Sequence, residues 1–243
     1  MVCLSAFLVI LFSTSVLSDG GSLLTACEVN DTECLSKTTQ QFLEKTCKGI
    51  PEYDIKPIDP LFVPSIDIKL GDKADTVLHY KNITITGLKN QQFSDFKMDT
   101  KEKSVVLQTR ADLTMVGDVI IEMNTITKSF NDAYTIKGTA LGTARYNYDF
   151  KVDDKGVEHY EVGPETLTCQ AVNEPEVTHS SELRQALEND KDLKERNQRY
   201  NAKRKEIQQN VFCKIVEKAY VTVVHNIRAA AKILPKSAFL KGV

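Results

Sequence analysis

The sequence predicts an α+β fold in which a long, curved antiparallel β-sheet wraps around a long C-terminal helix. Three observations carry this expectation. In residues 134–152, YTIKGTALGTARYNYDFKV, every even position is apolar or tiny, while the odd positions are mostly Thr, Lys, Arg, Asn and Asp. That is the period of a strand with one buried face. From Phe212, apolar residues recur at helical spacing through Ile215, Val216, Ala219, Tyr220, Val223, Val224, Ile227, Ala230, Ala231 and Leu234. The stripe covers about half the helix circumference, more than a simple surface helix needs. Finally, the buried face of 134–152 loses its bulk at Gly138, Ala140, Gly142 and Ala144. A sheet wrapped around the helix gives both apolar faces a partner. The thinned stretch then either admits close approach of the helix or lines a cavity between the two.

The elements follow in order. Residues 1–18, MVCLSAFLVILFSTSVLS, carry no charged side chain and are too short for a membrane span of about 20 residues. Val16 and Ser18 stand where a signal peptidase reads small residues, so 1–18 is expected to be a secretory signal peptide and 19–243 a single domain. The formal net charge of -2 is unchanged by removing that leader, and nothing suggests nucleic acid or a membrane as a partner. A monomer is expected. Without Cys3, five cysteines remain. In an oxidising compartment two pairs are expected with one thiol left over. Cys27 and Cys34 enclose CEVNDTEC, close enough to pair locally. Asn30 and Asn82 each begin an N-glycosylation sequon, in keeping with secretion.

Asp31 is placed to cap a helix through TECLSKTTQQFLEKTCK that stops at Gly49 before Pro51. Leu35, Thr39, Phe42, Leu43 and Cys47 share one of its faces. The connection PEYDIKPIDPLFVPS is too rich in proline for a central strand. From Ile66 to Val177 strand signals dominate. VLHYKNITITGL leads to a polar turn, and alternation then runs from Val105 through Met115 and resumes after Gly117 to Met123. Strands so much longer than the usual 5–6 residues must curl, with Gly117, Gly138 and Gly142 as bends. DDKG at 153–156 reads as a hairpin turn. Residues 182–209 are crowded with charge and read as a solvated helix face or loop rather than a binding patch. Pro235 ends the last helix.

No nucleophile elbow, metalloprotease helix, C-x-x-C or phosphate-binding loop occurs in the chain. The four histidines lack metal-ligand spacing. No enzyme activity, metal or cofactor is therefore expected. Tyr146 and Tyr148 end the small-residue floor on the same inward face. A buried phenol needs a partner. It is either a core tyrosine bonded to a backbone carbonyl, which pattern alone favours, or a lone polar group that orients an apolar ligand.

The Cys27–Cys34 segment, KGIPEYDIKPIDPLFVPS, GLKNQQFSDFKMDTK, GTARYNYDF and VVHNIRAAAKILP together resemble the insect takeout and juvenile hormone binding protein family. The resemblance runs over the mature chain, and Cys169 with Cys213 makes it similar to the haemolymph proteins of moths. It implies a super-roll fold related to that of bactericidal permeability-increasing protein, with disulfides Cys27–Cys34 and Cys169–Cys213. It implies a secreted haemolymph carrier for juvenile hormone, an apolar sesquiterpenoid methyl ester with an epoxide, which the carrier would solubilise and protect from hydrolysis. The alternative is a takeout-like carrier of another apolar lipid. The tyrosine that donates to the epoxide aligns with Tyr146, and Tyr148, Ala144, Gly142, Ala140 and Phe239 are expected with it around the ligand. The first helix, with Leu35, Phe42 and Leu43, is implied to be a gate. Cys47 falls outside the four-cysteine framework and is expected to be a buried, inert thiol.

Overall fold

The computed structural model describes residues 23–70, 75–124 and 126–241; the expected leader, 1–18, lies outside the described residues. Helix α1, Thr32–Lys45, starts where the carboxylate of Asp31 accepts from the amide of Cys34 at 3.0 Å. It ends three residues sooner than the pattern suggests. The Thr46 hydroxyl donates back to the Phe42 carbonyl at 2.7 Å, and Gly49 turns the chain at φ +81°.

Seven antiparallel strands follow: β1 Leu61–Leu70, β2 Thr76–Thr86, β3 Gln92–Asp99, β4 Ser104–Met123, β5 Lys128–Val152, β6 Glu158–Ala171 and β7 Glu176–Thr178. The main order is β1-β2-β4-β5-β6. All 20 residues of β4 pair with β5. On its other edge, β4 takes β3 along its first half and β2 along its second. These long shared strands give the sheet its length and, through accumulated twist, its curvature.

Two differences from the expected strand pattern have plain causes. β1 begins at Leu61, inside the proline-marked connection, because it is an edge strand and Pro64 need not donate on its open side. β3 forms where a polar turn was expected. Its alternation is broken by a register shift between Phe93 and Asp95, and its polar residues face out.

The charged 182–209 stretch becomes helices α2 Ser181–Asn189 and α3 Lys191–Ala202 and the first turns of α4, Arg204–Ile233. The long helix therefore starts eight residues before Phe212, and it stops before Pro235 as expected. It lies in the concave face of the sheet, running in the same direction as β5. From Phe212 to Tyr220 it rises about 12 Å, while β5 advances about 13 Å from Gly138 to Gly142. The contacts keep that step. A Cβ on Gly138 would stand 3.1 Å from the Phe212 ring, and one on Gly142 would stand 2.9 Å from the ring of Tyr220. The Tyr220 hydroxyl shares a 2.5 Å hydrogen bond with Thr109 of β4. The missing bulk of the strand is thus filled by helix aromatics.

Both disulfides are formed, and Cys47 is a half-buried free thiol. Asn226, fully buried on α4, grips the proline-marked connection: its amide accepts from the Lys56 N–H at 2.8 Å and donates to the Lys56 carbonyl at 2.7 Å.

Candidate functional site

Beyond Gly142 the roles of strand and helix reverse. Strand residues on the inward face become large (Tyr146, Tyr148 and, across the ladder on β6, Tyr160), while the helix becomes small at Ala230 and Ala231. The two surfaces do not close on each other. They leave a cavity of about 100 Å³.

Its walls come from every layer. β3 supplies Phe96 and Met98, α4 supplies Ile227, and α1 supplies Leu35, Thr38, Thr39 and Phe42. Phe239 and Leu240, beyond the end of α4, complete the lining together with Leu24. Here the two ends of the described chain meet. The amide of Cys27 donates to the Phe239 carbonyl at 3.0 Å, and the amide of Lys241 donates to the Cys27 carbonyl at 2.8 Å. The Cys27–Cys34 disulfide ties that junction to the first turn of α1.

The lining is almost wholly apolar. Among the described residues it includes no Ser, Cys, His, Asp, Glu, Lys or Arg. The two threonine hydroxyls are engaged locally: Thr38 accepts from the amide of Thr25 at 2.7 Å, and Thr39 donates to the Leu35 carbonyl at 2.7 Å. The phenols are different. The phenols of Tyr146 and Tyr160 are both buried, and the hydroxyl of Tyr160 has no hydrogen-bond partner among the described residues. Burial pushes both phenols well above the ordinary range, with the nearby Arg228 guanidinium drawing Tyr146 back slightly. Both are therefore protonated donors at any physiological pH. Arg228 itself is occupied, donating to the carbonyls of Val162 and Gly163 and pairing with Glu165 at 2.5 Å.

The expected site residues divide. Tyr146, Tyr148 and Phe239 stand on the cavity wall, as do Leu35 and Phe42 of α1. Ala140, Gly142 and Ala144 do not. The space over Gly142 is taken by the Tyr220 ring, Ala140 lies in the core with Phe212 and Tyr220, and Ala144 packs in the cluster of Leu107 and Val224. Leu43 also faces away, joining Ile55, Ile58 and Leu234. Among the wall residues not expected from the sequence are Phe96 and Met98, which lie on the unexpected strand β3, and Tyr160, whose strand the sequence shows only as the return of a hairpin. Tyr160 is the inward-facing aromatic opposite Phe150, a signal that becomes legible only once the register is known.

The histidines lie elsewhere, each against a carboxylate or carbonyl: His79 with Asp67 and Glu122, His159 with the Leu234 carbonyl, His179 with Asp132, and His225 with Asp54. No group of His, Cys, Asp and Glu among the described residues is placed to hold a metal ion. No described helix is long and apolar enough to cross a membrane. Asn30 and Asn82 are both exposed, the latter at the register shift of β2.

Comparison with known proteins gives three findings. Residues 6–174 match the family described as haemolymph juvenile hormone binding protein. The chain is 52% identical over 228 residues to the juvenile hormone-binding protein of Manduca sexta, covering 94% of this chain and all of that one. The crystal structure of Takeout 1 from Epiphyas postvittana superposes with a TM-score of 0.74 at 18% identity, covering 90% of this chain and all of that one. This last likeness bears on the fold: a curved antiparallel sheet around a long C-terminal helix.

Proposed function

The chain belongs to the haemolymph juvenile hormone binding protein family, and from that premise we propose that it is a secreted, non-enzymatic carrier of juvenile hormone. The observation that carries this reading is the almost wholly apolar cavity with the unpartnered hydroxyl of Tyr160 on its wall. Such a site suits a ligand that is mostly hydrocarbon with isolated acceptor oxygens. Burial of about 20 heavy atoms at about 0.3–0.5 kcal/mol each supplies roughly 6–10 kcal/mol, which corresponds to micromolar or tighter binding. The described wall carries no Ser, Cys, His, Asp or Glu to serve as an activated nucleophile or general base, and on this reading the hormone's ester is sheltered rather than attacked. Secretion fits the two disulfides, the apolar leader, and the exposure of Asn30 and Asn82 as glycan acceptors.

Native mass spectrometry of the protein taken from haemolymph should find one hormone molecule bound per chain. Incubation of labelled hormone with the pure protein should leave the ester intact. A different lipid in the cavity, or release of the acid, would refute the respective half of the proposal.

Within this reading, Tyr146 donates to the epoxide oxygen. Tyr146→Phe keeps the ring and deletes only the donor. A neutral hydrogen bond contributes about 0.5–1.5 kcal/mol net, so hormone affinity should fall about 2- to 13-fold. Affinity for an analogue lacking the epoxide should not change. Equal loss for both ligands would make the hydroxyl structural.

Entry requires the wall to move, because the cavity of about 100 Å³ is below the roughly 300–1,000 Å³ of pockets that hold drug-sized ligands. Helix α1 is the element to yield: it packs on β3 and the turn before it rather than within the central sheet. Hydrogen exchange should slow across Leu35 to Cys47 when hormone binds, as expected for a segment of low local stability that the ligand orders. The same exchange rates with and without hormone would remove α1 from the entry route.

A further inference from the structure

The cavity holds a second hydroxyl that the Tyr146 contact leaves unexplained. Tyr160 is only 7% exposed, it stands on the cavity wall, and its hydroxyl has no hydrogen-bond partner among the described residues. Its ring is held on three sides, with centroids 5.3 Å from Tyr148, 5.0 Å from Phe150 and 5.4 Å from Phe239. The hydroxyl is therefore positioned by packing. A phenylalanine would fill the same aromatic cluster without leaving a buried donor unpaired, and an unpaired donor is unfavourable in the free protein.

The register sets where this donor lies relative to Tyr146. Tyr160 pairs across the ladder with Phe150, and Tyr146, Tyr148 and Phe150 share one face of β5. Four residues along a strand advance roughly 13 Å, so the two phenols are rooted at opposite ends of the aromatic wall. The two phenols thus enter the cavity from different points of its wall, and the hormone carries its epoxide at one end and its ester at the other. Of the threonine hydroxyls on the wall, Thr39 donates to the Leu35 carbonyl and Thr38 accepts from the Thr25 amide, and the Tyr148 ring sits edge-on to Phe150 and Tyr160.

We propose that Tyr160 is a second ligand-orienting donor, bonding the ester carbonyl oxygen while Tyr146 meets the epoxide, so that the pocket selects terpenoids bearing an acceptor at each end. This rests on the carrier function proposed above. It makes the site a two-point ruler, in which chain length and the presence of both oxygens are read together. It also explains why a buried donor is kept unpaired in the free protein: its partner arrives with the ligand.

The test is equilibrium binding of wild type, Tyr160→Phe and Tyr146→Phe to three ligands. These are the hormone, an analogue with an alkene in place of the epoxide, and an analogue with an alkyl group in place of the methyl ester. Tyr160→Phe should weaken the hormone and the epoxide-free analogue by the same factor, about 2- to 13-fold, and leave the ester-free analogue unchanged. Tyr146→Phe should show the mirror pattern. The unliganded Tyr160→Phe protein should melt no lower than wild type, since no protein hydrogen bond is lost. Equal weakening of all three ligands by Tyr160→Phe, no weakening of any, or a lower melting point of the free variant overturns the assignment. If wild type binds none of the three, the carrier function falls and this assignment with it. If wild type binds and only the Tyr160 pattern fails, the carrier function stands and this assignment alone is lost.

Discussion

Tyr220→Ala is expected to destabilise the protein by about 3–5 kcal/mol, the usual range for truncating a buried aromatic side chain. Tyr220 is 2% exposed, lies over Gly142, and is hydrogen-bonded to Thr109. Gly142→Val should also destabilise, by about 1–3 kcal/mol, because its side chain collides with the Tyr220 ring. The backbone of Gly142 is not in the left-handed region, so only space forbids a side chain there. The two changes should therefore be strongly coupled. In the Tyr220→Ala background, valine at 142 fills part of the vacated volume, and the double variant should be more stable than the sum of the single effects predicts. Urea unfolding of the four proteins reads this directly. Additive effects would mean that the helix aromatic and the strand glycine are not the complementary pair described above.

Removing the Cys169–Cys213 disulfide, by replacing both residues with serine, should lower stability by up to about 4 kcal/mol. The bond spans 44 residues, and the chain-entropy model assigns about that much to a loop of this size. In a domain this large, each kcal/mol moves the melting point by about 2–4 °C, so a fall of roughly 8–16 °C is expected. The short Cys27–Cys34 loop, with a separation of 7, supports only about 2.5 kcal/mol by the same model. The position of the longer bridge gives it a structural task as well. Cys169 is the ladder partner of Gly142, and Cys213 adjoins Phe212, so the bridge fixes α4 where its aromatics enter the thinned strand. A calorimetric scan of the serine variant settles the magnitude. A shift of one or two degrees would mean that packing alone holds the helix in register.

Much of this architecture was legible in one dimension. Asp31 and Pro235 mark helix ends through side-chain capping and the missing proline N–H, both local, while α1 stops at the Thr46 cap before the Gly49 turn. The buried face of β5 follows from its alternation, which held from Tyr134 to Tyr148. The DDKG turn was equally local, with the Asp153 carboxylate accepting from the amides of Lys155 and Val157. β3 was not legible. An eight-residue strand with a register shift and an exposed polar face has no clean period, and it is held by pairing with β4 rather than by its own pattern. Two residues of the cavity wall, Phe96 and Met98, were hidden with it.

The sequence by itself determined which residues face inward, because alternation and helical spacing are properties of neighbours along the chain. It could not determine what stands above each inward position. That depends on where α4 lies against β5, and the match of about 12 Å of helix to about 13 Å of strand carries Phe212 and Tyr220 onto Gly138 and Gly142. The same step then brings Ala230 and Ala231 opposite Tyr146, Tyr148 and Tyr160. Small against large closes the first half of the interface into core. In the second half, small helix residues face tyrosines, among them Tyr160, whose hydroxyl has no partner among the described residues, and the gap stays open. The cavity thus begins beyond the glycine floor, where strand and helix exchange their large and small residues, a place set by contacts between segments some eighty residues apart.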